Sequence, residues 1–303
     1  MKVSAFTYVR NGLFYDYPFI EAIRSALPLV DELVAVVGDS TDGTREAIEQ
    51  IGDSRIKIVD TIWDDAMRTR GLIFAQQSNT GLDHVSKDAD WLLHIQADEI
   101  LHEKDYPAIR QAMQTYLHDK RVEGFLFRFL NFFGDYWHYA PSRRYHQREI
   151  RIVRNNPAIR SYRDSQGFRK FDNPAAYLEE KGHKLQVIPI DATVYHYSYV
   201  KNPETQLKKQ IEFAKRWHEN DDWIEDFKAR FKAGYEYNNI DYLARFNGTH
   251  PQLMQQRIAA QDWSFHYDPG KNNMRFKEKV MKLLEDITGK QFFIYKNYKP
   301  LKK

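Results

Sequence analysis

A chain of 303 residues with 42% hydrophobic and 15% aromatic content can bury a full core, which excludes a disordered polypeptide. The absence of cysteine excludes disulfides, thiolate metal sites and thiol catalysis, and no apolar run reaches the roughly 20 residues of a membrane-spanning helix. The net charge of +3 hides an asymmetry: residues 1–200 carry 25 basic and 28 acidic side chains, residues 201–303 carry 20 and 14, and Lys271 to Lys303 alone carry 10 and 3.

Val3 to Val9 reads as a strand, and Phe19, Ile20, Ile23, Ala26, Leu27 and Val30 recur at the spacing of a helix near Pro18 to Val30. Leu33 to Val37 is a buried strand, and the turn Gly38 to Thr44 leads into a helix over Glu46 to Ile51 with Asp42 as its N-cap. Ile56 to Val59 predicts a strand, Gly71 to Val85 a helix, and Trp91 to Ile95 a strand that runs into the acidic pair Asp98-Glu99. Such alternation argues for a mostly parallel sheet covered on both faces. Phe125 to Phe129 and Glu149 to Arg154 alternate apolar and polar residues, so mixed pairing is expected there. From Pro203 the chain reads mainly helical, with Leu207, Ile211 and Ala214 on one stripe and Phe276, Val280, Leu283, Leu284 and Ile287 on another. A soft boundary near Val200 divides an α/β domain, 1–200, from a helical, basic C-terminal subdomain, 201–303.

In open α/β sheets ligands bind beyond the C-terminal ends of the strands, which is where Asp98 and Glu99 fall. A carboxylate there is suited to hold a cation over a phosphate. Several segments together resemble the nucleotide-sugar glycosyltransferases of family 2, whose fold is called GT-A. Phe6-Thr7-Tyr8-Val9-Arg10-Asn11 sits where that family opens with a strand and a nucleoside-contacting loop. Val36 to Thr44 is similar to its acidic turn ending in Ser-Thr-Asp-Gly-Thr, and Ser78-Asn79-Thr80-Gly81 to its Arg-Asn-x-Gly segment. Ile95-Gln96-Ala97-Asp98-Glu99 falls at its Asp-x-Asp motif, and Val194-Tyr195-His196-Tyr197 at the segment that closes the catalytic domain with a histidine. Two departures stand out: Gln96 replaces the leading Asp, and Gly38-Asp39 stands where paired acids are common.

The resemblance implies an α/β, GT-A (Rossmann-like), mostly parallel mixed sheet flanked by helices, with a helical C-terminal extension. It implies transfer of a sugar from a nucleotide-diphosphate donor, with UDP a candidate, to a glycan or lipid-linked acceptor, with inversion. Thr7, Arg10, Asn11, Asp39, Asn79, Gln96 and Ala97 are the candidate donor contacts. Asp98 and His196 are the candidate ligands of a divalent cation, Mn²⁺ or Mg²⁺, with Glu99 in support; the amide at Gln96 leaves a metal-independent enzyme open. A lone His in an aromatic strand is as often core, and His94, His138 and His266 form no metal-ligand spacing. Attack by a hydroxyl needs a base, for which Asp164 is the candidate and Asp172 the reserve. Arg143, Arg148 and Arg151 are candidate partners of phosphates or of an anionic acceptor.

The basic tail, interleaved with Phe292, Phe293, Tyr295 and Tyr298, suggests a peripheral contact with anionic lipid or equally a solvated helix with a loose end. With no signal-peptide pattern at Met1-Lys2-Val3-Ser4, the expected location is cytoplasmic, peripheral at the inner membrane face, with no nucleic-acid partner. Two other readings stay open. A sugar nucleotidyltransferase would favour a Gly-rich basic phosphate loop, which Val9-Arg10-Asn11-Gly12 matches poorly; the other is a non-catalytic binder of polyanions or membrane surfaces.

Overall fold

The structure is a computed structural model whose described residues are 1–231, 235–237, 240–270, 273–288 and 295–301. Phe292 and Phe293, named above in the tail, lie outside them.

The chain runs β1 (Val3–Val9), α1 (Phe19–Ala26), β2 (Glu32–Val37), α2 (Thr44–Glu49), β3 (Ile56–Asp60), α3 (Leu72–His84), β4 (Trp91–His94), β5 (Glu99–Leu101) and α4 (Tyr106–Thr115). It continues with β6 (Gly124–Phe133), β7 (His138–Tyr139), β8 (Arg148–Arg154), β9 (Ile159–Ser161), β10 (Phe168–Lys170), β11 (His183–Lys184) and β12 (Gln186–Tyr199). The last elements are α5 (Pro203–Lys215), α6 (Ile224–Arg230), β13 (Ala244–Arg245), α7 (Gln255–Ala259), α8 (Phe276–Thr288) and β14 (Lys299–Pro300).

Strands β3, β2, β1 and β4 lie side by side and parallel, in registers such as Phe6 with Val34 and Phe6 with His94. The chain lays β2 and β3 on one side of β1 and then crosses to put β4 on the other, which opens a crevice at the C-terminal end of β1. Antiparallel β8 follows β4, antiparallel β6 follows β8, and β12 runs parallel to β6. This is the α/β, mixed, Rossmann-like sheet that the sequence predicts, with the mixed pairing at the two alternating segments.

Both faces of β1, β2 and β4 are buried, as their mostly apolar sequences require, while β3 at the end of the sheet is half-exposed. Phe6, Val34, Val36 and Leu92 pack under α3 through Leu82, while Ala5, Leu33, Ala35 and Leu93 share the opposite core with Phe19 and Ile23 of α1 and Ile109 and Met113 of α4. Gly81 is the contact that lets α3 lie this close, since a Cβ there would fall 2.9 Å from the Phe6 ring. At the start of α2 the cap is shifted by one residue from expectation. Gly43 occupies the N-cap with φ +87°, while Asp42 Oδ1 still accepts from the Thr44 amide at 3.1 Å.

The C-terminal third departs from a mainly helical subdomain. Short helices alternate with irregular chain, β13 pairs β7, and β14 adds to β12, so the segment closes back onto the sheet. On α5 the apolar stripe is only half-buried, whereas Gln206 and Lys209 are buried, because this helix covers the crevice and offers its polar face to it.

One buried carboxylate ties the sheet edge together. Glu32 accepts from Ser4 Oγ at 2.5 Å, the Ser86 amide at 2.5 Å and Lys57 Nζ at 2.6 Å. Burial alone would raise its pKa, but the bonds from Lys57, Ser4 and Ser86 outweigh it and hold the group at about 2. A depressed acid stabilises the fold above its unfolded pKa and loses that contribution as pH falls, here from about 4.5 toward 2. Glu32→Gln should therefore cost about 2 kcal/mol at neutral pH in denaturant melts, with the difference from the parent shrinking as pH falls through that window.

Candidate active site

A cavity of about 410 Å³ occupies the crevice beyond β1 and β4. Tyr8, Arg10 and Asn11 enter it from β1 and its loop, Gln96, Ala97 and Asp98 from the β4–β5 turn, and Asp164 and Ser165 from the β9–β10 loop. His196, Ser198 and Tyr199 enter from β12, and Lys209, Glu212, Phe213 and Arg216 from α5 and its end. Nine of the candidate residues thus meet in one cavity: Arg10, Asn11, Gln96, Ala97, Asp98, Glu99, Arg151, Asp164 and His196.

Thr7 and Asn79 line none of it. Thr7 alternates with Tyr8 along β1 and is buried, whereas Asn79 on α3 is occupied by Ser161, donating to its carbonyl at 3.0 Å and accepting from its amide at 2.8 Å. Asp39 stands at the rim, pairing with Arg10 at 2.9 Å and accepting from the Trp63 amide at 3.1 Å. Arg10 also pairs with Asp65 at 2.8 Å, and Arg216 reaches the same Asp65 at 2.9 Å. Both guanidinium groups lie over Trp63, at 5.6 and 5.7 Å from its ring. The glycine at 38 now has a reason: a Cβ would fall 2.6 Å from Trp63 Nε1, so this indole takes the space of a second acid.

Asp98 is the charged centre of the cavity. Its Oδ1 lies 3.6 Å from His196 Nε2 and its Oδ2 3.6 Å from Lys209 Nζ, with only 12% of the side chain exposed. Burial would raise this carboxyl, but its neighbours His196 and Lys209 prevail and hold it far below the carboxylate range, hence ionised. The orientation of His196 is set from behind. Asn131 donates through Nδ2 to the His146 carbonyl at 2.8 Å, which leaves its Oδ1 to accept from His196 Nδ1 at 2.9 Å. Nε2 is thereby aimed at Asp98, the arrangement by which a ligating imidazole is commonly oriented.

These two donors fit a divalent cation. Among the described residues no three His, Asp or Glu side chains converge, so a cation held by Asp98 and His196 would complete its shell with diphosphate oxygens and water, as Mg²⁺ commonly does. Lys209, donating to Ser198 O at 2.8 Å, supplies a fixed positive charge beside the same carboxylate.

Glu99 and Arg151 do not take the parts expected of them. Each is buried, and they pair with each other through two bonds of 2.5 and 2.7 Å, so neither is free for metal, acceptor or phosphate. Asp172 is 93% exposed beside His183, Arg148 is exposed on β8, and Arg143 pairs with Glu285; none lines the cavity. His94 is buried against the Phe6 ring and His138 is held by Asp135 at 2.9 Å.

Asp164 sits half-buried on a loop whose flanking residues, Arg163 and Ser165, take φ of +56° and +61°. Non-glycine residues in this region store strain that surrounding contacts must offset. Burial raises the Asp164 carboxyl above its ordinary value, and the bond from Gln166 Nε2 at 3.0 Å only partly opposes it. The loop is braced from the far end of the chain: Tyr162 Oη donates to Asn297 Oδ1 at 2.6 Å, and Arg169 donates to Tyr295 Oη at 3.0 Å. Tyr295 and Asn297 are therefore tied to this loop. With Asp164 expected as the base, Asn297→Ala should leave affinity for a nucleotide donor near the parent value and lower turnover by about tenfold, because a misplaced base costs rate before it costs binding. Steady-state kinetics with separate kcat and KM checks this.

Sequence reasoning missed Lys209, Glu212, Phe213 and Arg216. Their three- and four-residue spacing puts all of them on one face of a helix, a polar stripe that was legible once the apolar one was not assumed to be the inner face.

No protein-family model and no curated protein matches the chain. Solved structures similar to it include S. aureus TarS 1-349, 14% identical over 71% of this chain and 65% of that one, with a TM-score of 0.37. Glucosyl-3-phosphoglycerate synthase from Mycobacterium tuberculosis, in complex with Mn²⁺, uridine diphosphate and phosphoglyceric acid, is 19% identical over 43% of each chain, with a TM-score of 0.29. A third is 4-diphosphocytidyl-2C-methyl-D-erythritol synthase from Anaerococcus prevotii, 12% identical over 71% of this chain and 95% of that one, with a TM-score of 0.38. This chain thus spans about two thirds or less of the length of the first two.

Proposed function

We propose that the protein is a glycosyltransferase that moves a sugar from a nucleotide-diphosphate donor to a hydroxyl on a glycan, lipid-linked or other surface-polymer precursor, with inversion and with a divalent cation, Mn²⁺ or Mg²⁺. The observation that carries the reading is the buried Asp98 facing His196 Nε2 at 3.6 Å in the same cavity as the half-buried Asp164, whose neighbours Arg163 and Ser165 take φ of +56° and +61°. In this reading Trp63, Arg10, Asn11 and Asp39 form the nucleoside end, and Gln96 and Ala97 face the sugar and ribose.

When bound, the cation supplies Lewis acidity that offsets charge growing on the departing diphosphate. Lys209 adds a fixed positive charge on the same side, which needs no reorganisation as the bond breaks. Asp164 accepts the proton of the acceptor hydroxyl; the oxygen then bonds to the anomeric carbon while the bond from that carbon to the diphosphate oxygen breaks. The protein would meet its acceptor in the cytoplasm, as a peripheral protein at the inner membrane face. A sugar nucleotidyltransferase fits less well, since Val9-Arg10-Asn11-Gly12 after β1 is not the Gly-rich basic loop that cradles a triphosphate.

Calorimetric titration with a panel of nucleoside diphosphates, with and without Mn²⁺, tests the reading. One diphosphate should bind, and bind more tightly with the metal. No binding by any member under either condition overturns it.

A further inference from the structure

Helix α8 is mounted the wrong way round for a helix of a globular body. Phe276, Val280, Leu283, Leu284 and Ile287 recur at three- and four-residue intervals on one face, and a helix packed on a core buries such a stripe. Here the stripe faces solvent: Phe276 is 83%, Leu283 59% and Ile287 72% exposed. The polar face is the one turned inward. Glu285 pairs with Arg143, the Lys282 ammonium lies 4.9 Å from the Tyr242 ring, and both residues, with Met281 as the one apolar residue of this face, line a cavity of about 960 Å³. The helix is thus held off the body by polar contacts, its apolar side outward.

We propose that this face of α8 is a docking surface for a membrane rich in anionic lipid. The proposal rests on the peripheral-membrane part of the reading above and gives it a surface. Lys277 and Lys279 flank the stripe on its two sides, while the acidic residues of α8 include Glu285, paired with Arg143, and Asp286, paired with Lys282; the rest of residues 271–303 adds seven basic and no acidic side chains. Apolar side chains between lysines match the boundary between acyl chains and anionic headgroups, where each half finds its own solvent. A second copy would bring an equally basic segment against this one, and a polyanion without an acyl phase would leave the apolar stripe in water.

The full chain is sedimented with vesicles of phosphatidylcholine alone and of phosphatidylcholine mixed with phosphatidylglycerol. Binding is expected to the anionic vesicles only and to weaken with added salt. The pair Leu283→Glu and Ile287→Glu, and separately Lys277→Glu and Lys279→Glu, should each lower partitioning by about tenfold or more. All four positions lie outside the active cavity, and a thermal melt unchanged from the parent verifies that each variant is folded. Absence of vesicle binding, binding unaltered in both variants, or self-association in light scattering that Leu283→Glu abolishes would each overturn the proposal. The assay contains no sugar donor, so its failure leaves the transferase reading standing, and a failed nucleotide titration leaves this one standing.

Discussion

Asp98→Asn is expected to lower transfer and donor hydrolysis by about a thousandfold or more, the scale on which charge stabilisation of a leaving group contributes. The substitution keeps the shape and removes the charge. In the parent the carboxylate is ionised in spite of burial, because His196 and Lys209 face it. Once it is neutral, Lys209 remains buried with no counter-charge beside it. Burial already lowers the Lys209 pKa, so the amine can shed its proton rather than unfold the helix. Asp98→Asn should therefore melt within a few degrees of the parent while losing the response of nucleotide binding to Mn²⁺. Lys209→Met separates the two positive charges: it should lower turnover by about ten- to a hundredfold yet keep the metal response. Full turnover of Asp98→Asn with the true donor and acceptor, or a metal response that survives in it, would remove this carboxylate from the chemistry.

What could be read ahead of the structure divides along physical lines. The parallel half was legible because its central strands are buried on both faces, so Leu33 to Val37 is wholly apolar, Val3 to Val9 carries only Ser4 and Thr7 among apolar and aromatic residues, and the intervening helices carry clear periodicity. Asp98, Gln96 and Asp164 were legible because a strand end and a Gly-containing loop fix where their side chains emerge. Glu99 and Arg151 were misread, since nothing in a linear sequence reveals that two charges 52 positions apart form a bidentate pair. The polar face of α5 was missed for a related reason: periodicity marks a helix with an apolar inner face, and this one turns lysine and arginine inward to meet Asp98 and Asp65. The same assumption failed at α8, where the apolar stripe is the outer one. Thr7 and Asn79 came with motifs whose neighbours do reach the cavity, but one falls on the other side of the strand pleat and the other is spent holding Ser161.

Asp164→Asn is expected to abolish transfer while leaving donor affinity within about twofold, because a base acts on the acceptor proton and contributes little to ground-state binding of the nucleotide. The pH dependence gives a second, independent readout. Burial raises the folded-state pKa of this carboxyl, so the parent should lose kcat/KM as pH falls through that raised value, with its acid limb above the ordinary carboxylate range. For stability the sign is reversed. An acid whose folded pKa is raised penalises the fold once it ionises, so its cost is absent below the unfolded pKa and fully present above the folded one. Asp164→Asn should then be no less stable than the parent at neutral pH and slightly more so, with the gain vanishing as the medium is acidified. Strain at Arg163 and Ser165 persists in the variant, since it belongs to the backbone and to the brace from Asn297. A variant that loses nucleotide affinity would instead make Asp164 a donor contact, and one that melts well below the parent would make it a structural carboxylate. An inactive, well-folded variant that still binds nucleotide is the outcome a base requires.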